Sequence, residues 1–170
     1  MILGIDQSLT STGMVLLRET GQEELVTTIK TGKLRGVERL DFIIGSICSV
    51  IEPWKVTKIG MEDYAFSGNQ GFSLGELGGV IKYVLFKKYG IKPVIIHNTK
   101  IKKWATGKGN ANKNLVMLGT YKKYNVELKN DNEYDAYNIA KIVYWLNMDK
   151  NPQCVLTKQE KEVLDSIPMQ

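Results

Sequence analysis

Three carboxylates in this 170-residue sequence occupy positions where a charge is costly. Asp6 directly follows the apolar run at residues 2–5, Glu62 follows the apolar run at residues 59–61, and Asp135 precedes an apolar stretch late in the chain. A charge beside a buried segment is stable only when it is paired or binds a metal ion. Each carboxylate also has an ordinary interpretation: a turn cap for Asp6, a solvated strand end for Glu62, and a helix-dipole contact for Asp135.

Carboxylates that converge on one place repel each other, and a divalent cation relieves that repulsion. Mg²⁺ prefers hard oxygen ligands, whereas this chain contains a single histidine, His97, and therefore no multi-histidine zinc site. Two Mg²⁺ ions roughly 3.5–4 Å apart activate water and stabilise the leaving oxygen in phosphodiester hydrolysis. Taken together, the carboxylates favour a Mg²⁺-dependent phosphodiester hydrolase, in which we expect Mn²⁺ to substitute.

The elements that must bring these carboxylates together follow from the hydrophobic periodicity. Apolar or alternating runs predict five strands, at residues 2–6, 14–18, 25–30, 58–64 and 93–97. Apolar spacings of three and four predict helices at residues 36–51, 71–89, 111–124 and 133–147. The order β-β-β-α-β-α-β-α-α predicts an α/β fold with a mixed five-stranded sheet and helices on both faces. In that topology the ends of the first and fourth strands, with Asp6 and Glu62, lie side by side.

The composition fits one domain, which we expect at residues 1–150, with a loosely attached tail at residues 151–170. No run of about 18 apolar residues is present, and the first residues lack the features of a signal peptide, so no membrane partner is expected. Cys48 and Cys154 lack metal-ligand spacing and are expected to be reduced thiols in the cytoplasm. The net charge of +5 is compatible with a nucleic-acid partner, although solubility explains such a value equally well.

Four short motifs occur in an order that is found in one known family. Residues 2–13 read ILGIDQSLTSTG, residues 59–62 read IGME, residues 107–113 read GKGNANK, and residues 132–136 read NEYDA. Together they resemble the motifs of RuvC-type Holliday junction resolvases, which have an RNase H-like fold. Residues 74–80, LGELGGV, are similar to the bacteriophage branch of that family.

The resemblance implies that Asp6, Glu62 and Asp135 are catalytic residues that bind the metal. One position departs from the pattern, because cellular members carry an Asp three residues before the last Asp and this chain carries Asn132. Asn132 can still offer a neutral carbonyl oxygen, and the neighbouring Asp131 can replace it. The identity of the fourth metal ligand therefore stays open between these two residues.

Basic and aromatic residues near the motifs are candidates for DNA contact. Lys113 matches a basic residue near the family's scissile phosphate, and its predicted role is both catalytic and DNA-binding. Lys108 precedes it in a glycine-rich loop, where backbone amides at a helix start favour an anion. Further candidates are Lys100, Lys102 and Lys103 beside Trp104, and the aromatic residues Tyr64, Phe66 and Phe72. A solvated surface for these lysines and core packing for these aromatics are equally open.

The sequence therefore predicts a metal-dependent, structure-selective endodeoxyribonuclease that resolves Holliday junctions and other branched DNA by paired hydrolysis. The resemblance also implies a homodimer, which matches the two-fold symmetry of a four-way junction. The alternatives are a non-cleaving module of the same fold that binds branched DNA, and a nuclease with a broader range of forks, flaps or hybrids. An actin-like ATPase is disfavoured because it needs two such domains, and no GxxxxGK[ST] loop is present.

Overall fold

A mixed five-stranded sheet forms the centre of the computed structural model, which describes residues 1–63, 71–148 and 156–168. The strand order is β3-β2-β1-β4-β5. β2 pairs antiparallel with β1 and β3, while β4 lies parallel to both β1 and β5. The strands are β1 Ile2–Asp6, β2 Ser11–Leu17, β3 Glu23–Lys30, β4 Lys58–Glu62 and β5 Val94–Ile96. The prediction of an α/β fold with a mixed five-stranded sheet is confirmed.

Helices cover both faces of this sheet. In the described residues they are α1 Gly36–Ile51, α2 Gly71–Tyr89, α3 Asn98–Thr106, α4 Lys113–Tyr124, α5 Asp131–Asn147 and α6 Lys158–Asp165. Residues of α1 and α2 share one apolar core with the sheet, and residues of α3, α5 and α6 share the other. None of the helices in the described ranges combines the length and apolar character needed to span a membrane.

Alternation along the central strands decides which side chains meet which helices. Leu3 and Ile5 of β1 belong to the core under α1 and α2, whereas Ile2 belongs to the core under α5. Because successive strand residues point to opposite faces, Gly4 and Asp6 point to the α5 face with Ile2. The same alternation in β4 assigns Gly60 and Glu62 to the α5 face. Two carboxylates thus end adjacent strands on one side of the sheet.

Several strands and helices begin at residues other than those that the hydrophobic periodicity predicts. β2 begins at Ser11, three residues before the predicted start, because the turn after β1 closes early through hydrogen bonds from the Ser8 amide to the Thr12 hydroxyl (3.1 Å) and from that hydroxyl to the Ser8 carbonyl (2.7 Å). α5 begins at Asp131, so Asp135 lies in its second turn rather than the first.

Helix α3 was missing from the predicted element order. Its sequence, NTKIKKWAT, is mostly polar, and only Ile101, Trp104 and Ala105 are buried. Ile101 and Trp104 pack into the core that α5 and α6 share, and Ala105 packs with Ala111 and Val116, so tertiary contacts rather than an apolar stripe define the helix.

The expectation of a loosely attached tail is wrong for residues 156–168. Val163 of α6 and Ile167 just after it are almost fully buried in the core beside α3 and α5. A capping box between Thr157 and Glu160 starts the helix, and Glu160 forms an ion pair with Lys123 of α4. The division of the chain at residue 150 otherwise stays a prediction.

Candidate active site

Asp6 and Glu62 are the last residues of two adjacent parallel strands. Ile5 of β1 is in register with Met61 of β4, and each carboxylate follows one residue later. Asp6 is 5% exposed, although it ends a strand. The parallel pairing therefore brings these two carboxylates to the same edge of the sheet, as the topology predicts.

Three glycines let α5 approach this edge closely enough to deliver a third carboxylate. A Cβ on Gly4 would lie 2.2 Å from the Ala136 carbonyl oxygen, and a Cβ on Gly13 would lie 2.2 Å from the Asn132 carbonyl oxygen. A Cβ on Gly60, the register partner of Gly4, would lie 2.5 Å from a methyl group of Val143. Bare backbone on β1, β2 and β4 thus seats α5 directly on the sheet, with Asp135 over the strand ends.

The pKa shifts show that the carboxylates interact. Burial raises the pKa of Asp6 well above its usual range, a hydrogen bond and the charge of Glu62 raise it further, and the charges of Asp135 and Asp131 add to this. Burial, followed by the charges of Glu62 and Asp131, raises the pKa of Asp135 to about 7. Such mutual repulsion in a buried place favours either protonation or a bound cation.

The donor set fits a hard divalent cation. Asp6, Glu62 and Asp135 offer only carboxylate oxygens, the ligands that Mg²⁺ and Mn²⁺ accept. Across residues 1–63, 71–148 and 156–168, however, no three His, Cys, Asp or Glu side chains already form a metal-binding group. The three side chains interact electrostatically and would have to close around an ion.

Lys113 and Asp131 form an ion pair beside the carboxylates. Lys113 is the first residue of α4, and its ammonium donates to the Asp131 carboxylate at the start of α5. This hydrogen bond lowers the pKa of Asp131 and raises that of Lys113, to which the charges of Asp135 and Asp6 also contribute. The side chain of Asn132 instead donates to the Ser11 hydroxyl at 2.8 Å. Of the two candidates for a fourth ligand, Asp131 is thus the one that interacts electrostatically with Asp6 and Asp135.

Helix α3 contributes residues that the sequence did not single out for this edge. Asn98, its first residue, donates from Nδ2 to Glu62 Oε1 at 2.6 Å. Lys102 lies one turn later on the same side of α3, and its charge lowers the pKa of Asp135. Gln7, the residue directly after β1, donates to the backbone carbonyl of Glu62 at 3.2 Å. An amide next to a predicted catalytic residue was the only sequence signal for Gln7, and Asn98 had none.

Other residues predicted to contact DNA form hydrogen bonds or ion pairs within the chain, away from the three carboxylates. Lys100 donates to the Ser166 carbonyl at 2.7 Å, and Lys103 pairs with Glu162 of α6 at 2.6 Å. Trp104, placed with them in the sequence, is 2% exposed and donates to the Tyr124 hydroxyl. These three residues face the interior or α6, so of the basic cluster Lys102 is the member directed to the carboxylates.

The remaining candidates differ in exposure. Lys108 is exposed in the loop between α3 and α4, and Phe72 at the start of α2 is 93% exposed. Tyr64 and Phe66 lie outside the described residues. The role of each in binding DNA stays a prediction.

The single histidine has a structural role. The Nδ1 atom of His97 accepts from the Thr99 amide at 3.3 Å and thereby caps the start of α3. This cap fixes the start of the helix that carries Asn98.

Comparison with known proteins identifies a family and a similar fold. The family model described as crossover junction endodeoxyribonuclease RuvC matches residues 2–142. The fold is similar to that of Thermus thermophilus RuvC in complex with a Holliday junction substrate, with a TM-score of 0.67, 20% sequence identity, and coverage of 82% of this chain and 89% of that chain. A second Thermus thermophilus RuvC structure gives a TM-score of 0.65 at 19% identity, with the same coverage of both chains. Comparison with curated proteins gives no match. Because the family model covers most of its length, the chain belongs to the RuvC crossover junction endodeoxyribonuclease family.

Proposed function

We propose that this chain resolves four-way DNA junctions by metal-dependent hydrolysis, with Asp6, Glu62 and Asp135 as the catalytic metal ligands. The observation that carries the proposal is the placement of these carboxylates at one edge of the sheet in a member of the RuvC family. The structural relative bound to a Holliday junction supports branched DNA as the substrate class. Mg²⁺ is the proposed cation, with Mn²⁺ as a substitute, because the donors are hard oxygens.

Each group of the site has a proposed task. Asp6, Glu62 and Asp135 hold divalent cations, which supply an activated water and charge stabilisation when bound. Asp131 is the proposed fourth ligand in preference to Asn132, whose amide is hydrogen-bonded to Ser11.

Three lysines are proposed to hold the DNA backbone beside the carboxylates. Lys113 and Lys102 are close enough to affect the pKa of Asp135, and we propose that they neutralise the phosphate that is cut. Lys108, exposed in the preceding loop, is proposed to bind a neighbouring phosphate.

Paired cleavage requires two such sites, so we propose a homodimer. Helix α2 offers a surface for it, because Tyr83 and Phe86 lie exposed on this helix together with Gly79, whose Cβ position meets no atom within 4 Å. Analytical ultracentrifugation of the full chain tests this: a dimer is expected, and a monomer at the concentrations that give paired nicks would contradict it. The bacteriophage-like branch and the cytoplasmic location stay predictions.

Cleavage of a synthetic four-way junction tests the function directly. We expect paired, symmetric nicks with Mg²⁺ and none with EDTA, beside linear duplex, fork and flap as comparison substrates. Asp6→Asn is expected to abolish cleavage and to leave junction binding intact, because it removes one metal ligand and retains the basic surface. Cutting of forks and flaps at the same rate would broaden the substrate to branched DNA in general, while binding without cutting would favour the non-cleaving module.

A further inference from the structure

Two neutral amides donate hydrogen bonds to Glu62, one to its side chain and one to its backbone. Asn98 Nδ2 lies 2.6 Å from Glu62 Oε1, and Gln7 Nε2 lies 3.2 Å from the Glu62 backbone carbonyl oxygen. One bond therefore fixes the end of the side chain, and the other fixes the backbone at the end of β4. Neither donor carries a charge, unlike the ammonium of Lys113 that pairs with Asp131.

The helix that carries Asn98 is anchored well enough to act as a fixed support. His97 caps its first turn, and the indole of Trp104 is buried with a hydrogen bond of 2.9 Å to Tyr124. Ile101 is fully buried, and Lys103 is paired with Glu162. Asn98 therefore presents its amide from a rigid element, and a donor on such an element orients an acceptor with little loss of side-chain entropy.

We propose that Asn98 is a positioning residue that orients Glu62 for the divalent cation; this inference rests on the proposed function. By donating to Oε1, Asn98 fixes the orientation of the Glu62 carboxylate, which interacts with Asp6 and Asp135 at the same edge of the sheet. Because the donor is neutral, it holds the carboxylate without cancelling the negative charge that attracts the cation. Residues that hold a metal ligand in this way typically affect metal affinity by about 10–100-fold.

Metal binding by the protein alone provides the test. We expect Asn98→Ala to weaken Mn²⁺ binding by about 10-fold or more in calorimetry without DNA. Asn98→Ser, whose hydroxyl is too short to reach Glu62, is expected to behave alike. In junction cleavage, the half-saturating Mg²⁺ concentration should rise by a similar factor, while the rate at saturating metal largely recovers. Asn147→Ala is the matched control, because it removes an amide that donates to the Val143 carbonyl near the far end of α5.

The outcomes separate this inference from the function on which it rests. Unchanged Mn²⁺ affinity in Asn98→Ala and Asn98→Ser, beside a wild-type protein that binds metal and cuts junctions, would overturn the positioning role alone. An equal loss in Asn147→Ala, or a loss of junction binding in EDTA together with a lower metal-free Tm, would also overturn it, because these indicate general destabilisation. A wild-type protein that neither binds metal nor cuts would overturn both proposals.

Discussion

A buried carboxylate among like charges makes the stability of the metal-free protein depend on pH. Folding raises the pKa of Asp135 from 3.8 to about 7, so the folded chain binds this proton more tightly than the unfolded chain does. The stability that protonation contributes is therefore fully present below about pH 4 and is lost as the pH rises through about 7. Cation binding would compensate this loss, because it stabilises the charged form instead.

Asp135→Asn tests this linkage. The variant cannot become charged, so in EDTA at pH 8 its free energy of unfolding should exceed that of the wild type by about 2 kcal/mol, or roughly 4–8 °C in Tm. Near pH 4 the two proteins should unfold alike. Thermal unfolding followed by circular dichroism measures both, with Asp165→Asn on the exposed side of α6 as a control that should follow the wild type. Parallel pH profiles for Asp135→Asn and the wild type would contradict the linkage.

Lys113 should matter more for chemistry than for folding. Its ammonium is largely exposed, pairs with Asp131 and interacts with the charges of Asp135 and Asp6. We expect Lys113→Ala to slow single-turnover cleavage by roughly 10²-fold, because a cation near the reacting phosphate is lost. Lys122→Ala, an exposed lysine later on α4, is the matched control and should retain the wild-type rate. Equal rates for Lys113→Ala and the wild type at several salt concentrations would remove Lys113 from the site.

At the level of single residues, the sequence predicted the carboxylates but not the two amides, of Asn98 and Gln7, that are hydrogen-bonded to Glu62. Asp6 and Glu62 each follow an apolar run, and a charge at that place is a visible signal. Asn98 and Gln7 are single amides whose importance depends on one hydrogen-bond partner distant in the chain. Gln7 has only its position beside Asp6 to distinguish it and Asn98 has nothing in its local sequence, so their contacts with Glu62 could only be seen in the folded chain.

The position of α5 on the sheet depends on glycines in the strands beneath it, which have no Cβ to hold the helix away. Gly4→Ala should displace this helix, since the added Cβ would lie 2.2 Å from the Ala136 carbonyl oxygen. We expect a loss of about 1–3 kcal/mol in the free energy of unfolding, measured in urea. Cleavage should fall by about 10²-fold, because a displacement of roughly 1 Å moves Asp135 away from Asp6.

Gly45→Ala is the control for this substitution. Gly45 lies in α1, where no atom is within 4 Å of the added Cβ, so the variant should be unchanged or up to about 1 kcal/mol more stable. A Gly4→Ala protein with wild-type stability and cleavage would show that α5 can move without cost.

The prediction of strands and helices succeeded where apolar residues recur at regular spacing along one face, and it failed for α3, where few residues are buried. The strands and the helices α1, α2, α4 and α5 follow from alternation or from spacings of three and four. Helix α3 has too few apolar residues for that pattern, and its burial comes from packing against α4, α5 and α6. Lys100 and Lys103, which the sequence offered as DNA contacts, are bonded to Ser166 and Glu162 within the chain, and their role in binding DNA stays a prediction.

On the scale of the whole molecule, α6 closes one of the two cores. Removing residues 151–170 would expose the surface that Val163 and Ile167 cover and would leave Lys123 without Glu160. Losing two buried apolar side chains costs roughly 3–6 kcal/mol, a large part of the stability of one domain. Thermal unfolding of the truncated chain should show a clearly lower Tm, beside a control that lacks only residues 169–170. If the truncated chain kept the wild-type Tm, residues 1–150 would be an independent domain with a loosely attached tail, as the sequence predicted.

The seating of α5 on the first strand also governs when the enzyme can act. Asp6 lies far before Asp135 in the sequence, so Asp6 is synthesised well before Asp135 and the helix that carries it. Contacts between such distant parts of a chain form late in folding. A chain that ends before α5 therefore lacks a complete set of carboxylates, so the proposed cutting activity would arise only after α5 has been made and has packed on β1.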